Sequence, residues 1–378
     1  MRRKIDYLYF LTVILLLIFG VVSVYSQTYF AGDYFLKREL FLLSGGIFIL
    51  FLSMVLPLSF YKIVLFHWRQ RPVNLIICLW ALFFVLLLIN VIIAQRTPGH
   101  IQRSITIPFL PPPFNKFQPQ EFFKYAHLFF LAYLWEEDKP PIWFLILSLL
   151  STACIFLQRA VGSAIIFYLS CLFLFLLMSL KTRYILTYLL IGLLFIPVGI
   201  KKTPHAEKRR TDWFQRLPEK IRFFKKIGDI NFRNLDHQGY SKIGIASGRV
   251  FGRGLGQGGG KFWFLPKIHT DFIFSGICEE LGFIGGNLLL ILFFILLRRG
   301  FLIARTAYRC SKFLFLIAAG VSIILTLYAL VHIFGAMDII PCTGQPLPLV
   351  SYGGSALISN LWAMGTVLNI SYITRKEF

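Results

Sequence analysis

Several short stretches of this 378-residue chain hold side chains whose types and spacing could do chemistry. Glu121 and Lys124 follow Gln118-Pro119-Gln120 at the start of an apolar run. Residues three apart share one helix face, and Pro119 is a helix-start signal. Such an acid and base either form an ion pair at a membrane surface or hold a charged ligand. Asp271, in Leu265-Pro-Lys-Ile-His-Thr-Asp-Phe272, is the only acid of its stretch before Glu279 and Glu280. It is a catalytic candidate, although Thr270 or Asp271 could instead cap the helix that follows. Glu279 and Glu280 lie about two turns deeper, ~12 Å along a helix axis, where acids must be paired or face a wet cavity. A third stretch runs from Pro341 to Ser355. Its prolines forbid regular helix, Ser351 or Ser355 could cap the next span, and Gly353-Gly354 at a helix start would leave N–H groups for an anion. The glycines between Gly248 and Gly260 do not form a phosphate loop. Leu255 stands where a glycine is needed and Phe262 follows Lys261, and there is no βαβ context. A flexible turn along the membrane face is expected there.

Only helices can position these groups, because the chain is too apolar for a soluble globule. Apolar and aromatic residues make up 57% and charged residues 15%, against roughly 25% charged in ordinary soluble domains. Runs such as Leu75–Ile93, Tyr184–Ile200 and Phe313–Val331 approach the ~20 residues that a helix needs to cross a hydrocarbon core. The pattern predicts an all-α polytopic membrane protein of about ten transmembrane helices. The expected spans are 7–25, 39–58, 74–94, 121–135, 142–157, 162–180, 184–200, 272–297, 313–336 and 354–373. Met1–Lys4 precedes an apolar segment longer than a leader core and without a small-residue cleavage site, so the first helix is expected to be retained. Lys62, Arg69, Arg71, Lys181, Arg183, Arg298, Arg299, Arg305, Arg309, Lys312, Arg375 and Lys376 fall in alternate short loops, which places both ends inside, N-in/C-in. The 136–141 loop, Glu-Glu-Asp-Lys-Pro-Pro, is the inner loop that does not fit.

The whole chain, 1–378, reads as one membrane domain with a large basic extracytoplasmic loop, 201–271, between spans 7 and 8. That loop holds 16 Lys and Arg against 6 Asp and Glu, a surplus near +10. Long translocated segments are exempt from the positive-inside rule. The surplus calls for an anionic partner or for anionic lipid headgroups; membrane lipids are expected partners and nucleic acid is not. The six cysteines form no CxxC pair, so neither a disulfide framework nor a metal knuckle is indicated.

The stretches Leu265–Phe274, Glu279–Gly282, Pro346–Ser355 and Gln118–Lys124, the last with Gln120 where a serine is usual, resemble the signatures of the SEDS family of cell-wall polymerases (shape, elongation, division and sporulation). The resemblance covers nearly the whole chain, and Pro346-Leu-Pro348 is closest to the elongation branch. It implies a peptidoglycan glycosyltransferase in the bacterial cytoplasmic membrane, its active site facing outward. The implied substrate is lipid II, an undecaprenyl-diphosphate disaccharide-pentapeptide. Asp271 would be the catalytic general base for the attacking sugar 4-hydroxyl. Arg103 (in Gln102-Arg-Ser-Ile105), Glu121, Lys124, His269, Glu279, Glu280, Ser351, Gly353, Gly354 and Ser355 would contact substrate. No residue is implied as a metal ligand, and a divalent cation, Mg or Mn, stays open as a cofactor. Cations must stabilise the departing lipid diphosphate; Arg103, Lys124 and the basic loop are the candidates. If Lys124 sits in a surface pair worth only ~0–1 kcal/mol, Lys124→Gln should weaken substrate binding and leave stability almost unchanged.

No Ser-x-x-Lys lies in an outer loop, so cross-linking falls to a partner, by the resemblance a class B penicillin-binding protein transpeptidase. Small residues favour helix docking in lipid. Gly282, Gly285 and Gly286, or Ala318, Ala319, Gly320 and Ser322, could form that face or could serve packing inside the bundle. Departures from the family are Ala160 for an Asp, His332 for an Asn, Asp338 for a Gly and Tyr240-Ser241 for Tyr-Gln. They keep a weakened enzyme or scaffold as an alternative. A lipid II flippase is another, which would need ionisable groups near the midplane.

Overall fold

The computed structural model describes residues 5–29, 34–68, 71–96, 104–108, 115–202, 207, 210–213, 237–259 and 268–374. In chain order these form α1 (Tyr7–Thr28), α2 (Tyr34–Val55), a 3₁₀ turn (Leu58–Lys62) and an antiparallel pair, β1 (Val64–Trp68) and β2 (Arg71–Asn74). Next come α3 (Leu75–Arg96), the short ribbon β3 (Ile105–Thr106) and β4 (Lys116–Phe117), then α4 (Pro119–Glu136), α5 (Pro141–Leu157), α6 (Val161–Leu177) and α7 (Thr182–Lys202). The chain ends with α8 (His237–Ser247), α9 (Ile273–Ala307), α10 (Lys312–Ala336) and α11 (Gly354–Thr374). All the expected spans are helices, and α8 is an additional one within the large loop.

Of these, α1, α2, α3, α9, α10 and α11 are each long and apolar enough to cross a membrane. The shorter α5 and α6, at 17 residues apiece, would reach about 25 Å. The protein is an all-α polytopic membrane protein. Leu128, Phe129, Phe175, Leu316, Leu325, Leu361 and Val367 are buried in one continuous core, whereas Leu194, Phe195, Phe283 and Phe294 are exposed. Exposed apolar faces of this kind are what helices present to lipid tails.

Ion pairs gather the short loops at the end of the bundle that carries the termini. Asp6 caps α1 by accepting from the Tyr9 N–H at 3.0 Å and also binds Arg299 of α9. Glu136 pairs with Lys62 and accepts from the Ser311 hydroxyl at 2.5 Å; Asp138 pairs with Lys312 at 2.7 Å. The acidic 136–141 loop is therefore held where the positive-inside rule disfavoured it, by basic residues of the neighbouring loops.

One expected span is extended, and one of two open readings of the small residues is selected. The span 272–297 is the start of a 35-residue helix that continues to Ala307, because arginine is a good helix former and Arg299 has Asp6 to bind. The small residues of α10 do not present an outer docking face. A side chain at Gly320 would meet Leu128 of α4 and Leu174 of α6, and Ala318, Ala319 and Ser322 are fully buried. Gly285 and Gly286 are buried as well, the latter against Cys278.

Candidate active site

At the opposite end, the segment after α10 turns inward instead of lying on the surface. Prolines and the left-handed backbone at Gly344 and Leu349 break the helix. Leu347, Leu349 and Val350 are buried in the core. Gly20 of α1 makes this possible, since a Cβ there would overlap the Leu349 carbonyl oxygen. A non-glycine residue at φ +65 is strained by about 1–3 kcal/mol and persists only where its surroundings enforce it.

This inward loop fixes the segment before α9. The Ser351 hydroxyl accepts from the Leu347 N–H at 2.9 Å and donates to the Thr270 carbonyl at 2.7 Å. The Tyr352 N–H donates to the His269 carbonyl at 3.0 Å. The His269 ring lies against Phe35 and Tyr352, with centroids 5.2 and 5.7 Å apart. Arg38 of α2 donates to the Tyr352 hydroxyl and stacks over its ring at 4.8 Å. Burial raises the Tyr352 phenol above its usual value, with Arg38 opposing the shift; Tyr352 therefore stays protonated near neutral pH. The Ser355 hydroxyl accepts from the Gln118 N–H at 3.1 Å, which joins the start of α11 to the start of α4. The residue preceding α11 is Gly353, so neither Ser351 nor Ser355 is its cap.

Asp271 sits between these anchors. The cap position of α9 falls on Phe272, without a side-chain cap hydrogen bond, so Asp271 does not hold the helix end. Its carboxylate is half-buried and has no hydrogen-bond or ion-pair partner among the described residues. It bears electrostatically on His332 of α10. His332 was noted in the sequence only as a departure from the family. Its Nδ1 bonds the Gln345 carbonyl oxygen at 2.8 Å, while its buried Nε2 has no partner. With Nδ1 as donor, Nε2 is an acceptor.

The pair of Lys124 and Glu121 is not at a surface. Its atoms are 2.7 Å apart and the two side chains are 4% and 2% exposed. Lys124 lies 4.3 Å from the Tyr328 ring and 5.0 Å from that of Tyr125. Tyr328 and His332 are four apart and share one face of α10. That face connects the buried lysine to the neighbourhood of Asp271, a relation that no linear spacing could reveal.

Glu279 and Glu280 belong to a different construction. Gly282 breaks α9 with φ +67, ψ −163. The kink frees the carbonyls of Glu279 and Glu280 to accept from the N–H groups of Arg253 and Gly254, at 3.0 and 2.9 Å. Phe283 and Ile284 donate in return to the carbonyls of Arg249 and Val250. The Glu279 carboxylate accepts from the Gly259 N–H at 2.8 Å and lies 3.6 Å from Arg253. Glu280 accepts from the Ser26 hydroxyl at 2.5 Å. The described part of the glycine-rich stretch is thus clamped to α9 and is not a free turn. Gly282→Ala should undo the clamp, because a Cβ there would overlap Gly252 and Val250 in a backbone region closed to L residues. A loss of about 3 kcal/mol, read as a lower unfolding temperature in detergent, is the expected result.

Elsewhere at this end, Asp338, which stands at the family's glycine, has left-handed backbone and pairs with Lys242 of α8 at 3.0 Å. Ser241 donates to the Ala336 carbonyl at 2.7 Å. Ala160 is buried at the start of α6. Arg103 and most of the 201–271 loop lie outside the described residues.

A bundle of membrane-crossing helices thus encloses a buried lysine and holds an unengaged carboxylate at its end. The model of the FtsW/RodA/SpoVE cell cycle proteins matches residues 6–376, and the chain belongs to this family, the SEDS proteins. A probable peptidoglycan glycosyltransferase FtsW from Geobacter sulfurreducens is 29% identical, covering 98% of this chain and 95% of that one. The corresponding Trichlorobacter lovleyi protein is 30% identical over 97% and 93%. Stage V sporulation protein E of Bacillus subtilis is 29% identical over 98% of each. Among solved structures, a chain of a peptidoglycan synthase complex matches with TM-score 0.68, at 24% identity over 99% of both chains. The Thermus thermophilus rod shape determining protein RodA matches with TM-score 0.64, at 22% identity over 99% and 98%. These two likenesses show the fold.

Proposed function

We propose that this chain is a peptidoglycan glycosyltransferase that polymerises lipid II at the outer face of the cytoplasmic membrane, with both termini inside. The observation that carries the reading is Asp271: the backbone just before it is pinned by Ser351 and Tyr352 and the residue after it opens α9, while its carboxylate caps nothing and binds nothing among the described residues. A carboxylate so held can take a proton. The acceptor sugar's 4-hydroxyl oxygen bonds to the anomeric carbon of the donor as the bond from that carbon to the diphosphate oxygen breaks. The hydroxyl proton passes to Asp271, and the lipid diphosphate leaves with the electron pair. His269, Ser351, Gly353, Gly354 and Ser355 line or order the acceptor side. Arg103, the loop cations and Lys124 meet the diphosphate, Lys124 by exchanging Glu121 for phosphate oxygens. Glu279 and Glu280 act through the clamp on the glycine-rich segment.

A divalent cation, Mg or Mn, is kept as a proposed companion of the lipid diphosphate, since such an ion takes most of its ligands from phosphate and water and needs only one or two protein carboxylates. Among the described residues no three His, Cys, Asp or Glu side chains come together, and the proposed chemistry uses no metal-bound step. The Pro346-Leu-Pro348 sequence supports service in elongation, and the T. thermophilus RodA likeness is in keeping with it. A class B penicillin-binding protein is the proposed cross-linking partner; the solved synthase complex, described as coordinating polymerization and crosslinking, supports this.

The purified full chain, given fluorescent lipid II in liposomes, should yield glycan strands resolvable on a gel. Transfer of labelled lipid between leaflets without any glycan would establish the flippase reading in its place.

A further inference from the structure

The end of the bundle that carries the termini holds a construction that the proposed reaction does not use. Beyond the expected limit of its span, α9 continues through Arg298, Arg299, Arg305 and Thr306. Eight residues separate Leu297 from Arg305, about 12 Å of helix, which carries Arg305 out of the hydrocarbon and into the headgroup layer. Two cavities flank this extension. One, of 570 Å³, is lined by Asp6, Arg299, Leu302, Ile303, Arg305, Thr306, Arg309, Ser371 and Thr374. The other, of 580 Å³, lies among Leu177, Ser179, Arg298, Phe301, Leu302, Arg305, Tyr308 and Phe315. Leu302 and Arg305 are common to both.

The charges do not balance inside these walls. Arg299 is neutralised by Asp6 through two hydrogen bonds. Arg305 and Arg298 have no hydrogen-bond or ion-pair partner among the described residues. An arginine with free donors, between hydroxyls on one side and leucine and phenylalanine on the other, matches a molecule with a phosphate head and an acyl body. A guanidinium binds phosphate oxygens in a bidentate manner, and the apolar wall has no use for a soluble anion.

We propose that Arg305 is the centre of a specific binding site for an anionic phospholipid, its phosphate held by Arg305 with Arg298 or Arg309 and its acyl chains along Leu302. This goes beyond the general attraction of basic loops for acidic membranes, because the site is a pair of shaped cavities around one residue. It stands apart from the proposed glycan chemistry, which takes place at the other end of the bundle.

The test is lipid retention by the full chain in nanodiscs of phosphatidylcholine with a minor share of phosphatidylglycerol, counted by native mass spectrometry after release into detergent. The native chain should keep phosphatidylglycerol in a saturable manner. Arg305→Gln should reduce its apparent affinity about tenfold, the loss expected for a charge-assisted hydrogen bond. Leu302→Trp, which adds bulk to the wall shared by both cavities and keeps every charge, should do the same. Lys181→Gln, a basic loop residue lining neither cavity, should have no effect. If Lys181→Gln weakens retention as much as Arg305→Gln, the attraction is diffuse and the site does not exist. If inorganic phosphate displaces the lipid, or if retention survives Leu302→Trp, the ligand is a soluble anion and the lipid assignment fails.

Discussion

Asp271→Ala should lower the rate of glycan polymerisation by about 10²–10⁴-fold, the usual contribution of a positioned general base. Asp271→Asn should do nearly as much, since the amide keeps the shape and loses the basicity. Neither change should unfold the protein, because the carboxylate caps no helix and has no partner among the described residues. Parallel thermal unfolding in detergent would establish this. Glycan formed at near the native rate by the alanine variant would remove Asp271 from the mechanism.

The second large effect concerns Lys124, and here the structure reverses the stability expected from sequence. A surface pair could be broken at almost no cost. A pair exposed by 4% and 2% cannot, since removing one partner strands the other charge out of water, at about 3–5 kcal/mol. Lys124→Met should therefore unfold well below the native temperature. The double variant Glu121→Leu with Lys124→Met should recover most of that loss, because no charge is left stranded. Lipid II binding and polymerisation should remain lost in both. A stable double variant with native activity would make the pair purely structural.

The helices were legible because a bilayer imposes one rule on every segment, a long run of apolar residues, and Leu75–Ile93 or Phe313–Val331 states it openly. The motif residues were legible as candidates for chemistry on other terms: an aspartate before a helix, serines and glycines before another. What stayed hidden depends on contacts between distant segments. Nothing near Glu121 announces that Tyr328 will cover its partner. The direction of the small residues on α10 required knowing where Leu128 and Leu174 would lie. The clamp at Gly282 depends on a backbone angle and on a strand of glycines some thirty residues earlier, which looked like a free loop because its partners are carbonyl groups. The end of α9 was not legible, because arginines mark the edge of the hydrocarbon but do not terminate a helix.

The acidic loop between α4 and α5 has a consequence for how the protein is made. Asp138 and its partner Lys312 are 174 residues apart in the chain, roughly 10–35 s of synthesis at ordinary ribosomal speeds. For that interval Asp138 waits for Lys312, and the loop is held by the flanking helices and by Lys62, made earlier, on Glu136. The final fastening waits for the tenth helix in the series, so a ribosome stalled before Lys312 would leave the α4–α5 hairpin inserted and its loop held by the Glu136–Lys62 pair alone.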